Sequence, residues 1–177
     1  MIEDTNHTCL IVDDDNMILS VVKQCLETIG YTCATAISAE DALKILAEAS
    51  FSLMITDLQM GGMNGIELTR LTKKVYPSMS IIAMTGYIDD HHYDEAIEAG
   101  ASDFLKKPFT INEISARVER VSRDAHFLEL LKKKEKSMEE ISTMMISGLQ
   151  EEAKQKFAAL EAEIVQLKEA ILSCKVS

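Results

Sequence analysis

Five short apolar runs recur along the first two thirds of the chain: Cys9–Val12, Thr32–Ala36, Leu53–Thr56, Ile81–Met84 and Asp103–Leu105. They are rich in β-branched or small residues and show no alternating polar face, which suits strands covered on both sides. Stretches 16–29, 38–49, 64–75 and 89–99 lie between them and carry apolar residues at helical spacing. Five strand-then-helix units in succession predict an α/β fold, a doubly wound five-stranded parallel sheet of order 2-1-3-4-5 with helices on both faces.

After Pro108 the pattern changes, because residues 109–177 hold no proline and a single glycine, Gly148. Ile111, Ile114, Val118, Val121, Ala125 and Leu128 recur every three or four residues, so the fifth helix is expected to run past its own core. A lysine run (Lys132, Lys133, Lys134, Lys136) interrupts that stripe, which resumes, phase-shifted, at Met138, Ile141 and Met145. From Ala153 a heptad pattern places Phe157, Ile164 and Ile171 at a, and Ala153, Leu160, Leu167 and Cys174 at d. Ile at a with Leu at d favours a parallel two-stranded coil. In such a coil Lys156 would face Glu161 of a second chain, and Glu163 would face Lys168. The expectation is a homodimer whose interface is Phe157, Leu160, Ile164, Leu167 and Ile171. The competing arrangement folds this helix back on residues 111–145 or on the first domain.

Charge supports the same division. Residues 1–124 carry 10 basic and 20 acidic side chains, and residues 125–177 carry 8 and 9. The chain therefore divides into a domain at 1–124 and a helical extension at 125–177, coiled from 153. The formal net charge of −11 argues against broad attraction to nucleic acid or an anionic membrane. No apolar run approaches the length of a bilayer span. The four cysteines show no paired metal spacing, and Met1–Thr8 is unlike a secretory leader, so a reducing cytoplasm is the expected location. His91 and His92 beside Asp89, Asp90 and Asp94 read as the solvated first turn of a helix, His126 as a surface residue, and the lysine run with its interleaved glutamates as a solvated face.

The chemistry gathers at the strand ends. Asp13 and Asp14 follow the first predicted strand, Asp57 the third, Thr85 the fourth, and Lys107 lies just beyond the fifth. In a doubly wound sheet these positions share the carboxyl edge where ligands bind. Three neighbouring carboxylates repel unless a cation joins them, and a hard, oxygen-preferring ion, Mg²⁺ above all, meets that need.

Four segments, Leu10-Ile11-Val12-Asp13-Asp14, Ile55-Thr56-Asp57-Leu58-Gln59-Met60, Ala83-Met84-Thr85-Gly86 and Asp103-Phe104-Leu105-Lys106-Lys107-Pro108-Phe109, stand in this order. Over residues 8–124 the chain resembles the receiver domain of two-component response regulators, whose fold is flavodoxin-like. The resemblance implies that Asp57 accepts a phosphoryl group from the phosphohistidine of a sensor kinase or phosphotransfer protein. It implies Mg²⁺ ligation by Asp14, Asp57 and the Gln59 carbonyl, with Asp13 assisting through water, and pairing of Lys107 with phosphoryl oxygens. Thr85 corresponds to the hydroxyl that follows the phosphoryl group inward, and Phe104 to the switch aromatic, here lacking the commoner tyrosine hydroxyl. Gly61 stands where proline is frequent and implies a looser loop. Asn64 replaces the frequent aspartate, Gly86 the frequent alanine, and Tyr87 flanks the phosphoryl position.

An enzyme competitor is a haloacid dehalogenase-like phosphatase beginning at Asp13-Asp14-Asp15, but Met17 departs from its motif and Asp57 is left without a role. No helix-turn-helix, cyclase or ATPase motif follows the domain, so output is expected through protein contact or dimerisation. The alternative is a regulatory fragment whose coil leads into an effector beyond Ser177.

Overall fold

A computed structural model describes residues 7–86, 90–146 and 150–175, without the side chains of 90–92, 145–146, 150–152 and 172–175. The strands are β1 (Thr8–Val12), β2 (Thr32–Ala36), β3 (Leu53–Asp57), β4 (Ser80–Thr85) and β5 (Asp103–Lys106). The helices are α1 (Asn16–Thr28), α2 (Ala39–Glu48), α3 (Gly65–Val75), α4 (Asp90–Glu98), α5 (Ile111–Ile146) and α6 (Gln150–Lys175). All four strand pairings are parallel, in the order β2-β1-β3-β4-β5. The expected fold is the observed one.

Uniformly apolar strands serve both faces. Cys9 and Ile11 of β1 pack with α1 and α5, among Leu19, Val22, Leu26, Ile114 and Val118. Leu10 and Val12, pointing the other way, join Ala39, Ala42, Leu46 and Leu68 of α2 and α3. The helix starts are capped as their sequences dictate: Asp15 accepts from the Met17 amide, Ser38 from Asp41 and Asn64 from Glu67.

The chain forms two compact units, which divide between Ser122 and Arg123. In the second unit the α6 seam has its partner within the chain. Ala153, Leu160 and Ile164 are buried with Ile141 of α5, and Phe157, Leu131 and Met138 pack against them. Lys134 of α5 forms an ion pair with Glu163 of α6, and Ile141, nearer the end of α5, shares the cluster with Ala153, nearer the start of α6, so the two helices run antiparallel. Within the chain, Phe157, Leu160 and Ile164 thus pack in the fold-back arrangement weighed against the parallel coil. The physical reason lies in α5: Phe127, Leu131, Lys134, Met138, Ile141 and Met145 keep a 4-3-4-3-4 spacing, a complete seam with one lysine in it. Leu167 and Ile171, further along α6, are half-buried. Among the described residues no helix is long and apolar enough to cross a membrane.

Candidate functional site

The site is built where β1, β3, β4 and β5 end. Register sets Val12 beside Thr56, Asp57 beside Met84 and Thr85 beside Lys106. Asp13 therefore leaves β1 next to Asp57, the last residue of β3. Asp13 and Asp57 are buried and Asp14 is exposed, and one carboxylate oxygen from each lies within 4.8 Å of the others. Lys107 reaches in from beyond β5, placed by its amide, which donates to the Thr85 carbonyl at 2.7 Å. Its ammonium donates to Asp13 Oδ2 at 2.6 Å and Asp57 Oδ2 at 2.7 Å. The Lys107–Pro108 peptide is cis.

Electrostatics follow from this crowding. Burial raises the Asp13 carboxyl above its ordinary range, and the Lys107 hydrogen bond and the Asp15 amide offset that only in part. Burial alone would lower the Lys107 ammonium, but its hydrogen bonds to Asp13 and Asp57, and their charges, turn the net shift upward. Lys107 therefore stays protonated, a fixed positive charge between two acids.

Most residues singled out in the sequence can be placed. The Gln59 amide donates to Asp57 Oδ1 at 3.1 Å, which holds the residue after next against the acid. Thr85 ends β4 and is buried, beside Lys106 in register. Phe104 is buried among Leu58, Ile66 and Ala83, so without a hydroxyl it sits inward on packing alone. Tyr87 and Asp89 lie outside the described residues, as do the side chains of His91 and His92, and His126 is exposed.

Three contributors were not singled out in the sequence. Gly65 opens α3 so close to β3 that a β-carbon there would stand 1.9 Å from the Asp57 carbonyl oxygen, so only glycine fits. The Asn64-Gly65 pair at a helix start was the available signal. Glu40, in the first turn of α2, accepts from the Met63 amide at 3.3 Å, and this ties down a loop expected to be loose. Tyr93 of α4 stacks on Phe104, with ring centroids 4.6 Å apart.

Residues 9–119 match the family model for the response regulator receiver domain. The chain belongs to that family. It is 36% identical to the DNA-binding transcriptional regulator NtrC of Escherichia coli K12 over 110 residues, 62% of this chain and 24% of NtrC. It is 37% identical to the response regulator protein FleR of Pseudomonas aeruginosa over 116 residues, 66% of this chain and 24% of FleR. The chain thus spans about a quarter of the length of either relative. The crystal structure of a CheY-like receiver domain protein from Methanospirillum hungatei superposes with a TM-score of 0.66 at 30% identity, covering 69% of this chain and 98% of that one. This receiver match includes Asp57, the residue to which the phosphatase reading gave no role.

Proposed function

We propose that this receiver domain, residues 1–124, is a phosphorylation switch, with Asp57 as phosphoacceptor and Asp13, Asp14, Thr85, Lys107 and Phe104 as its machinery. The observation that carries the reading is the Lys107 ammonium, held between Asp13 and Asp57 beside a third carboxylate. The donor set suits a hard divalent cation: Asp13, Asp14 and Asp57 supply oxygens, with the Gln59 carbonyl as a further ligand. Mg²⁺ bound there would neutralise the charge that the phosphoryl group brings.

In the transfer, an Asp57 carboxylate oxygen attacks phosphorus. The new O–P bond forms as the donor phosphohistidine's N–P bond breaks, and the imidazole nitrogen keeps the electron pair. Lys107 moves its hydrogen bond to a phosphoryl oxygen, and the Thr85 hydroxyl donates to another. Hydrolysis reverses the mark when water attacks phosphorus and the Asp57 carboxylate leaves. A sensor histidine kinase or phosphotransfer protein supplies the group. The Thr85 movement is read at the neighbouring Phe104 and Tyr93, which biases one surface between two states.

Output is assigned to protein contact through the extension, residues 125–177, with a second copy as its partner. A two-helix unit with few buried side chains gains most by sharing a core with another. In this reading the switch, reversible and without a substrate of its own, works in signal transduction in the cytoplasm. The test is incubation with a small phosphodonor and Mg²⁺, followed by intact-mass measurement. One hydroxylamine-labile phosphoryl group is expected, lost in Asp57→Asn and in excess chelator. Wild-type uptake by the Asn variant would refute the assignment.

A further inference from the structure

Cys9 of β1 and Cys33 of β2 are direct register partners across a parallel ladder. Such partners project to the same face, here the side covered by α1 and α5. Cys9 is wholly buried in that core, and Cys33 packs at its margin, half-buried. The Cys33 thiol donates to the Tyr31 carbonyl at 4.0 Å. The adjoining Cys9 thiol holds the Cys33 thiol below its ordinary range, with Lys23 lowering it further and burial and Glu27 opposing. Burial pushes the Cys9 thiol well up. One sulfur thus lies at the margin of the core, within reach of a small oxidant, while its neighbour is enclosed. That is the division between an attacking and a resolving cysteine.

We propose that Cys9 and Cys33 form a redox modification site that closes to a cross-strand disulfide when the protein meets a hydroperoxide. With hydrogen peroxide, the Cys33 thiolate attacks one oxygen, the O–O bond breaks, and the departing hydroxide takes a proton to become water. Cys33 is then a sulfenic acid. The Cys9 sulfur displaces the hydroxyl from Cys33; the S–S bond forms, the S–O bond breaks, and the Cys9 proton leaves with the hydroxyl as a second water. Two thiols lose two electrons and the peroxide gains them.

The backbone permits the closure. Neighbouring strands lie about 4.7–4.9 Å apart, inside the roughly 4.4–6.8 Å Cα separation of disulfides, although the β-carbons must draw to about 3.5–4.5 Å. β2 can make that approach because it is an edge strand, paired only with β1. A bond formed under such tension is readily reduced, so a small thiol reverses it.

The test treats the full chain with stoichiometric hydrogen peroxide, blocks residual thiols by alkylation, and maps peptides without reduction. A Cys9–Cys33 linked peptide is expected in the wild type and in Cys25→Ser and Cys174→Ser, and mild thiol should remove it. Cys9→Ser, with Cys9→Ala alongside because the site is buried, should stop at a Cys33 sulfenic acid trapped by dimedone. Linkage confined to Cys25 or Cys174, or a Cys33 sulfenic acid that persists while Cys9 is present, would overturn the proposal.

Discussion

At Asp13, burial and charge pull in opposite directions, and the balance has a consequence in pH. Its carboxyl is raised in the folded protein, so its contribution to stability is present below its unfolded pKa and is lost as pH rises through the higher folded value. A divalent cation requires the ionised carboxylates and so offsets that loss. The increase in Tm on adding Mg²⁺ should therefore be largest near neutrality and shrink as pH falls through a range above that of an ordinary carboxylate. Calorimetry with and without Mg²⁺ across pH checks this, and in Asp13→Asn that inflection should vanish. An equal Mg²⁺ increment at every pH would count against the cluster as a cation site.

At the level of elements, α5 begins at a reciprocal cap. The Glu113 amide donates to Thr110 Oγ1 at 3.2 Å, and the Thr110 amide donates to Glu113 Oε2 at 2.7 Å. Thr110→Ala should lower stability by about 1 kcal/mol in denaturant melts. The Thr110 amide and hydroxyl hold the Glu113 carboxyl below its usual range, so its share of stability is present above its unfolded pKa and fades as pH falls through the folded value. The strands and the first four helices were legible in the sequence because strand runs and helix stripes are local patterns, and they end within a residue or two of where they were expected. The hairpin was legible only as the competing arrangement. A lysine counts as a break in an apolar stripe, and only the pairing of Lys134 with Glu163 shows that it belongs to the seam. The site divides in the same way. Asp13, Asp14, Asp57, Thr85 and Lys107 announce themselves at strand ends, whereas Glu40 and Tyr93 matter through approaches between separate segments that no spacing records.

Over the whole molecule, the receiver unit has a core on both faces of its sheet and the second unit has a single seam. Leu128 and Val165 are left 55% and 54% exposed in that second unit, beyond what its own seam covers. Sedimentation should find a dimer with or without phosphorylation, and Leu128→Glu with Val165→Glu should give monomers that still phosphorylate at Asp57. A wild-type monomer at micromolar concentration would refute the assignment of a second copy. The antiparallel turn has a further effect. At about 1.5 Å of rise per residue, the chain between 127 and 171 would extend some 66 Å as a single rod, yet the hairpin doubles back and cancels nearly all of that displacement. Two dyes on those residues, in a labelled chain diluted with unlabelled protein, should report near-contact energy transfer. Contour length and reach are decoupled within this unit, where the far end of α6 returns to the level of Phe127.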